Sequence, residues 1–289
     1  MKIGFVGLGI MGAPMCSNIL KKHDDAVCVY NRTPAKAEPL RELGAVVCES
    51  AKAVAEQADV FISMVPTAAD SRAVYEEILP VLGPGKLCID MSTIDPSASV
   101  SIAEKVKNTG ADYIDAPVVK SRPAAEAGKL GVYVGGSEEA YEAALPILRY
   151  MGENIIRMGD NGSGLVMKIC HNALVSQIQN GVNETSTLAA SFGIDIMTFA
   201  QAISYGGGQN FYLDSKKAPL SQENYTTAFS VRNMHKDLHI CQSLAQERGV
   251  YMPGEEAAVG VYDEAMEKDL GAEDFCATVK IVRGRKHGA

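Results

Sequence analysis

The chain has 289 residues, of which 47% are hydrophobic and 21% are charged, and its formal net charge is −8. This length suits two globular domains, and the negative charge argues against nucleic-acid binding, because phosphate backbones attract basic surfaces. The short basic end of the chain, residues 283–289, is too small to change that conclusion. The first residues predict a strand rather than a signal peptide, and no apolar run reaches the roughly 18 residues of a membrane span. We therefore expect a cytoplasmic protein.

The seven cysteines are scattered along the chain, odd in number and without a C-x-x-C pair. This pattern indicates reduced thiols in a reducing compartment rather than a disulfide framework. Cysteine and histidine show no spacing typical of zinc ligands, and His171 and His235 are not spaced as a site with each other. The sequence therefore predicts no metal site.

Short apolar runs alternate with helical patterns through the first half of the chain. The predicted strands are residues 2–7, 26–31, 59–66, 86–92, 112–118 and 131–136. The predicted helices are residues 11–22, 33–43, 50–58, 96–110 and 137–151. Such alternation is typical of βαβ units around a parallel sheet. We therefore predict an α/β fold with a doubly wound parallel sheet of the Rossmann type.

The pattern changes after Gly164, where apolar residues recur at helical spacing from Leu165 to about Phe192. This predicts one helix of about 28 residues, roughly 40 Å long. Further helices are predicted at residues 195–204, 230–249, 255–269 and 274–284. We therefore predict a Rossmann domain over residues 1–162. An all-helical domain follows over residues 163–289, joined by the long interdomain helix.

A glycine-rich loop follows the first predicted strand. Gly7, Gly9 and Gly12 stand in G-x-G-x-x-G spacing, with Ile10 and Met11 inside the motif. In this strand-to-helix context the glycines allow a tight turn, close approach of the backbone to a pyrophosphate and close helix packing. The loop predicts a dinucleotide site that uses these five residues.

The end of the second strand predicts which dinucleotide binds. An NAD site usually has Asp or Glu here, about 20 residues after the glycines, for the ribose 2′-hydroxyl. This chain has Asn31, Arg32 and Thr33 instead. Since a guanidinium can pair with a 2′-phosphate, we predict NADP(H) in preference to NAD(H).

Two later loops follow strands whose carboxyl ends face the ligand in a doubly wound sheet. Val65 and Pro66 lie in a loop predicted over residues 63–70, where the third strand ends, and we assign both to the cofactor. Ser92 and Thr93 lie in a loop predicted over residues 90–99, where the fourth strand ends, and are candidates for the nicotinamide ribose. Asp95 and Ser97 fit a helix cap at least as well.

Four motifs in this order resemble those of the β-hydroxyacid dehydrogenase family. They are "GFVGLGIMGAPM", "DAPV" with its following A-x-x-G, "GSGLVMKICHN" and "HKDL". The family includes 3-hydroxyisobutyrate dehydrogenases, reductases of tartronate and succinic semialdehyde and of glyoxylate, and the more distant 6-phosphogluconate dehydrogenases. The resemblance covers essentially the whole chain and implies a homodimer or homotetramer without a metal.

The resemblance places the catalytic lysine of the family at Lys168, with Asn172 one helix turn further on. A lysine among apolar neighbours is expected to have a lowered pKa and to exchange a proton readily. It would protonate the forming alkoxide in reduction and act as a base in oxidation. The resemblance also assigns Asn172 to orient the substrate or the lysine, and Lys236 to the cofactor side of the cleft.

The substrate loop departs from the family pattern. Relatives with simple hydroxyacid substrates usually have Ser-Gly-Gly where this chain has Val119, Lys120 and Ser121. His171 also stands where Asn is frequent. Lys120 can pair with an anionic group of the substrate, and His171 adds a donor. Sulfolactaldehyde reductases of the family resemble this arrangement, with Gly-Arg-Thr in the same loop. The alternative is a solvated Lys120 in a loop that acts only through its backbone, and Arg122 is expected to be solvated.

We therefore predict NADPH-dependent reduction of a small anionic semialdehyde to its hydroxyacid, or the reverse oxidation. A carboxylate, sulfonate or phosphonate on a three- or four-carbon aldehyde fits the altered loop. One alternative is an NAD-using dehydrogenase of the 3-hydroxyisobutyrate or tartronate semialdehyde type. Others are an imine reductase-like enzyme, which Lys168 argues against, and a non-catalytic NADP-binding protein.

Overall fold

The computed structural model describes residues 1–285, so the last four residues of the basic tail lie outside the described part. The chain folds into two compact units, Met1–Lys168 and Ile169–Ala289. Within the described part of the tail, Arg283 pairs with Glu223 and Arg285 pairs with Glu264.

The first unit is an α/β domain. Its strands are β1 (Ile3–Val6), β2 (Val27–Tyr30), β3 (Val46–Val47), β4 (Val60–Ser63), β5 (Leu87–Asp90), β6 (Asp112–Asp115), β7 (Val118–Val119), β8 (Leu130–Gly135) and β9 (Gly152–Gly159). Its helices are α1 (Gly12–Lys22), α2 (Glu38–Arg41), α3 (Ala51–Gln57), α4 (Ala68–Ile78), α5 (Pro96–Lys107), α6 (Arg122–Glu126) and α7 (Glu138–Leu148).

The strands form one sheet in the order β3-β2-β1-β4-β5-β6-β8-β7, and β9 also pairs with β8. All pairs from β3 to β6 are parallel. The strand order reverses between β1 and β4, and this switch point is where a doubly wound sheet opens a crevice at the carboxyl ends of its strands. The loops after β1 and β4 therefore meet at the expected ligand edge.

Strand side chains alternate between two buried layers, as the period of two in a strand requires. On one face, Phe5 of β1 belongs to a buried cluster that includes Ile19 of α1 and Ile147 of α7. On the other face, Phe61 of β4 belongs to a cluster that includes Tyr75 of α4 and Ile102 of α5. Helices cover both faces, which confirms the predicted doubly wound architecture.

The sheet differs from the sequence prediction at its far edge. There β8 runs antiparallel to β6 and to β7. Strands β3, β7 and β9 were not predicted. Two of them are only two residues long, and most residues of β9 are exposed or half-buried, so their apolar pattern is weak.

The structure also differs from the sequence prediction in two helical segments of the first unit. The run containing Thr67 was predicted as a loop, yet it opens α4, and the Thr67 hydroxyl accepts a hydrogen bond from the Asp70 amide. The predicted helix over residues 33–43 is instead a 3₁₀ turn, Pro34–Lys36, followed by the short α2. Two prolines, each lacking an amide donor, interrupt this segment.

The second unit is helical. Its elements are α8 (Ser163–Ser191), whose first residues belong to the first unit, α9 (Ile196–Ile203), α10 (Phe211–Ser221), α11 (Val231–Arg248), α12 (Pro253–Glu267) and α13 (Val279–Gly284). The long helix confirms the prediction within two residues. Helix α10 was not predicted, because Pro219 and its polar residues weaken the apolar pattern. Among residues 1–285, no helix combines the length and hydropathy that crossing a membrane requires.

A buried carboxylate holds the start of α8. Asp115, at the end of β6, is fully buried and accepts hydrogen bonds from the Gly162 amide at 2.6 Å and the Leu165 amide at 3.0 Å. Helix N-terminal amides lack partners within the helix, so an acceptor there is stabilising. A Cβ at Gly135 or Gly164 would lie within 3 Å of this carboxylate, so both positions require glycine.

The burial of Asp115 makes the stability of the protein depend on pH. Desolvation raises the pKa of Asp115 to about 6, against the lowering effect of the Gly162 and Leu165 amides. A raised carboxyl pKa means that the folded state binds the proton more tightly, so stability is lost as the pH rises through the folded pKa. In Asp115→Asn the side chain stays neutral. We therefore expect the stability of the wild type relative to this variant to fall by up to about 3 kcal/mol between pH 4 and 7.

Urea unfolding of both proteins at several pH values measures this difference. Asp112→Asn, at an exposed position of the same strand, is the matched control and should show a much smaller change. An Asp115→Asn difference that stays constant or grows with pH would contradict the assignment.

Candidate active site

The glycine loop between β1 and α1 is closely packed at two of its three glycines. Gly7 has φ +97°, and a Cβ there would lie 2.2 Å from the Met64 carbonyl oxygen of the loop after β4. A Cβ at Gly12 would lie 1.9 Å from the Gly7 carbonyl oxygen. At Gly9, in contrast, a Cβ would meet no described atom within 4 Å. The first and third glycines are required by packing, whereas the second borders open space.

The N-terminus of α1 adjoins this open space. Its N-cap residue, Met11, makes no side-chain hydrogen bond in the described structure, and the first turn contains no acidic residue. The amides of a helix N-terminus and the helix dipole favour a phosphate. Open space at Gly9 beside an uncapped helix start fits the pyrophosphate of a dinucleotide. Ile10 is exposed between them.

Asn31 supports the glycine loop from the end of β2. Its Oδ1 accepts a hydrogen bond from the Leu8 amide at 2.9 Å, and its Nδ2 donates to the Thr33 carbonyl at 2.9 Å. The side chain thereby ties the loop to the residues that follow β2. Sequence reasoning identified Asn31 as a cofactor contact and missed this bracing contact.

Arg32 extends from the same edge into solvent, with 82% of its side chain exposed. Its Nη1 lies 3.0 Å from Oδ1 of Asp70 on α4. The Thr67 hydroxyl first and Arg32 second hold the pKa of Asp70 below its usual range, against partial burial. Exposed ion pairs of this kind contribute less than about 1 kcal/mol, so the guanidinium can exchange Asp70 for a phosphate at low cost.

A buried polar network fixes the loops after β4 and β5. The carboxylate of Asp90 accepts hydrogen bonds from Ser63, Ser71 and the Ser92 amide, and burial raises its pKa. The Ser92 hydroxyl in turn accepts a hydrogen bond from the Val65 amide at 2.9 Å.

Ser92 is 1% exposed, and its hydroxyl holds the loop after β4, while its contact with the ribose stays a prediction. The neighbouring Thr93 is half-buried, and Pro66 beside Val65 is exposed. Asp95 accepts hydrogen bonds from the amides of Ser97 and Ala98 at the start of α5, which confirms the helix-cap interpretation.

Lys168 lies on α8 in the part of the helix that belongs to the first unit. It is only 7% exposed, whereas lysine is rarely buried unless it is paired or functional. Asp115 holds the start of this helix through the Leu165 amide, about one turn before Lys168. A buried lysine on an anchored helix is a candidate for proton transfer.

In the second unit, Asn172 is held by a residue that the sequence analysis did not single out. Its Nδ2 donates to Oδ2 of Asp237 at 2.7 Å, and Lys236 Nζ lies 3.3 Å from Oδ1 of the same carboxylate. Asp237 is 1% exposed on α11. Its position three residues after buried Met234, on the apolar face, was the signal that could have identified it. His171 is half-buried beside Asn172.

The substrate-loop residues lie beside the far edge of the sheet. Val119 of β7 is buried against Gly131, where a Cβ would lie 2.5 Å from its Cγ2. Lys120 has φ +74°, the left-handed conformation that favours glycine. Its Nζ donates to the Lys129 carbonyl at 2.9 Å and lies 3.2 Å from Glu153 Oε1. The Ser121 carbonyl accepts hydrogen bonds from the amides of Ala124 and Ala125 in α6.

Lys120 therefore has a backbone conformation that favours glycine, and its ammonium group is bound to groups of this chain. Arg122 is exposed and pairs with Glu126 one turn away, as expected of a solvated residue.

The packing at Gly9 and Gly12 predicts opposite effects of adding one methyl group. Gly12→Ala should lower the melting temperature strongly because its Cβ overlaps the Gly7 carbonyl. Gly9→Ala should leave the melting temperature unchanged or slightly raised, yet weaken NADP binding by about tenfold or more, since the methyl group enters the space for the pyrophosphate. Thermal unfolding and fluorescence titration with NADPH measure the two effects. Unchanged NADPH affinity in Gly9→Ala would contradict this location of the phosphates.

Comparison with known proteins agrees with the geometry in both halves of the chain. Residues 2–159 match the family model described as the NAD binding domain of 6-phosphogluconate dehydrogenase. Residues 162–282 match the model described as NAD-binding of NADP-dependent 3-hydroxyisobutyrate dehydrogenase.

Relatives are similar over almost their whole length. Glyoxylate/succinic semialdehyde reductase 1 of Arabidopsis thaliana is 32% identical over 98% of this chain and 99% of its own. The solved structure of Mycobacterium tuberculosis 3-hydroxyisobutyrate dehydrogenase with L-serine has a TM-score of 0.90 and 29% identity, covering 98% of this chain and 99% of its own. That of Psf3 in complex with NADP+ and 2-OPP has a TM-score of 0.87 and 27% identity, covering 97% and 99%. The chain therefore belongs to the β-hydroxyacid dehydrogenase family and is an NAD(P)-dependent oxidoreductase that acts on CH–OH groups.

Proposed function

We propose that this protein reduces a small acidic semialdehyde to its hydroxyacid with NADPH, and catalyses the reverse oxidation. The observation that carries the proposal is Lys168, buried on a helix whose start is fixed to the sheet. The names of the relatives, a semialdehyde reductase and a hydroxyisobutyrate dehydrogenase, support the substrate class.

In this mechanism Lys168 moves the proton. When bound, the dinucleotide supplies a hydride in reduction and accepts one in oxidation. The Lys168 ammonium donates its proton to the oxygen of the forming alkoxide, and the neutral amine takes a proton from the hydroxyl in the reverse direction. Its burial excludes water, which strengthens the interaction with the developing charge.

Asn172 positions the substrate. Because its Nδ2 donates to Asp237, the orientation of the amide is set before the substrate binds. Buried Asp237 also pairs with Lys236, which in this proposal supplies a positive charge to the cofactor. His171 is the additional donor to the substrate in this proposal.

The dinucleotide is held by the crevice edge of the first unit. The glycine loop and the helix start bind the pyrophosphate, and Asn31 keeps the loop in place. The cofactor-binding set is Gly7, Gly9, Ile10, Met11, Gly12, Asn31, Arg32, Thr33, Val65, Pro66, Thr93 and Lys236. NADP is preferred because Arg32 is exposed and is paired with a surface carboxylate, Asp70, which a 2′-phosphate can replace.

The anionic end of the substrate binds to the turn at Val119, Lys120 and Ser121 through the backbone. Two observations favour the backbone over the Lys120 ammonium. The turn keeps the left-handed conformation at residue 120, and Glu153 already neutralises the cation. A backbone turn can accept carboxylate, sulfonate or phosphonate, so the substrate remains a small anionic aldehyde of three or four carbons.

Exposed apolar residues of the helical unit support the association of subunits. Leu188, Phe192 and Phe211 of the helical unit are each more than half exposed, and an apolar surface of this kind favours a homodimer or homotetramer.

All seven cysteines, which lie in the described part of the chain, are without disulfides. Reduced thiols favour a cytoplasmic location.

Replacing Lys168 tests the proposed reaction. We expect Lys168→Ala to lower kcat/KM for the best semialdehyde by about 10²–10⁴-fold, the usual contribution of a positioned acid, while NADPH affinity changes less than about threefold. The measurement is NADPH and NADH oxidation with a panel of carboxylate, sulfonate and phosphonate aldehydes.

Lys105→Ala, at an exposed lysine of α5, is the control and should retain wild-type rates. Retained activity in Lys168→Ala would refute the proton-transfer role. A wild type that binds NADPH but reduces no aldehyde would favour a non-catalytic binding protein, and faster NADH turnover would reverse the cofactor preference.

Two substitutions at Lys120 distinguish substrate binding by the loop backbone from substrate binding by the Lys120 ammonium group. Lys120→Gly and Lys120→Ala both remove the ammonium group, but only glycine adopts positive φ without strain. We expect kcat/KM within about threefold of wild type for both variants, because the surface ion pair contributes less than about 1 kcal/mol. Lys120→Gly should be more stable to urea than Lys120→Ala by about 1 kcal/mol. A rise of KM by tenfold or more in both variants would instead assign the ammonium to the substrate.

A further inference from the structure

Three potential metal ligands meet on the surface of the helical unit, apart from the residues assigned to catalysis. His235 and His239 lie one turn apart on α11, and Asp263 lies on α12. Each histidine Nε2 lies 2.9 Å from Oδ1 of Asp263, and the two Nε2 atoms lie 3.0 Å apart. The three atoms therefore form a nearly equilateral triangle.

Hydrogen bonds alone cannot satisfy this triangle while Asp263 is ionised. A ring nitrogen either carries one proton or offers one lone pair. If both Nε2 atoms are protonated, each can donate to Asp263, but the two N–H groups then oppose each other at 3.0 Å. If either is unprotonated, its lone pair faces the carboxylate oxygen at 2.9 Å. With Asp263 ionised, at least one of the three short contacts is repulsive in every arrangement of the histidine protons.

A divalent cation satisfies all three atoms at once. Zinc binds histidine nitrogen and carboxylate oxygen at about 2.0–2.2 Å, so its tetrahedral ligand atoms lie roughly 3.3 Å apart. An ion about 1 Å out of the plane of this triangle reaches all three atoms at that bond length after side-chain shifts of a few tenths of an ångström. Imidazole with carboxylate suits Zn²⁺, Ni²⁺ and Cu²⁺, whereas Mg²⁺ and Ca²⁺ prefer oxygen ligands alone.

We propose that His235, His239 and Asp263 form a binding site for one divalent transition-metal ion, with Zn²⁺ as the representative cation. The side chains are 26%, 46% and 46% exposed, respectively, so an ion can enter from solvent and water can complete its coordination. The sequence analysis predicted no metal site. The H-x-x-x-H spacing was present, but the third ligand lies 24 residues after His239 on another helix.

The site links α11 to α12 rather than taking part in proton transfer. Asp237, which holds Asn172, is buried, and it lies two residues from each histidine, a rotation of about 200° around the helix. Asp237 and the two histidines therefore lie on opposite sides of α11. An ion that binds only the folded chain stabilises it by mass action.

The experiment uses the full-length, tag-free protein after dialysis against EDTA. Isothermal titration with ZnCl₂ and melting temperatures with and without ZnCl₂ are compared for wild type, His239→Ala and Asp263→Asn. Two controls are matched to them: Glu256→Gln removes an exposed charge from the same helix as Asp263, and His23→Ala removes a histidine of the first unit.

We expect wild type and both controls to bind Zn²⁺ with equal affinity and to melt at a higher temperature when Zn²⁺ is present. His239→Ala and Asp263→Asn should bind Zn²⁺ more than about tenfold more weakly, since even loss of a residue that merely supports a ligand costs 10–100-fold. Their melting temperatures should not respond to Zn²⁺.

Equal Zn²⁺ affinity in wild type and both ligand variants would overturn the proposal. So would an equal loss in the controls. Circular dichroism establishes that each variant is folded, and His239→Gln replaces His239→Ala if the latter is not.

Discussion

The hydrogen bonds from the start of α8 to the buried carboxylate of Asp115 are the constraint on which the proposed active site depends. Burying this side chain is unfavourable unless its oxygens are satisfied, and the amides of Gly162 and Leu165 satisfy them. The contact fixes where α8 leaves the sheet, and with it the position of Lys168. Gly135 and Gly164 are part of the same constraint, because any side chain there would displace the carboxylate.

A second buried carboxylate, at the end of the neighbouring strand β5, fixes loops in the same way. Asp90 collects three donors, and through Ser92 it holds the loop that carries Val65. Buried networks of this kind contribute little net stability, but they allow few alternative arrangements when every member is satisfied. In this protein they place the loops after β4, β5 and β6 at the carboxyl edge of a parallel sheet. The glycine loop joins that edge through Asn31.

Sequence reasoning recovered the features that depend on local pattern. The glycine spacing, the long helix and the alternation of strands and helices all follow from neighbouring residues or simple periods, whereas Lys168 was identified through the family resemblance. Features that depend on contacts between distant residues were not recovered. Asn31 binds the loop 23 residues before it, Lys120 pairs with Glu153, 33 residues later, and Asp263 meets histidines on another helix. The conformation of Lys120 was also hidden, because no local rule predicts a positive φ at lysine.

Chemical rescue of Lys168→Ala tests the central claim most directly. The account predicts that small primary amines, which can supply the missing ammonium group, restore semialdehyde reduction in proportion to their concentration. The efficiency should follow the pKa of the amine, as general acid catalysis requires. The contrary result is a Lys168→Ala variant that binds NADPH normally but whose activity no amine restores, even one small enough to fit the space left by the lysine. That result would contradict the role of Lys168 as the proton donor.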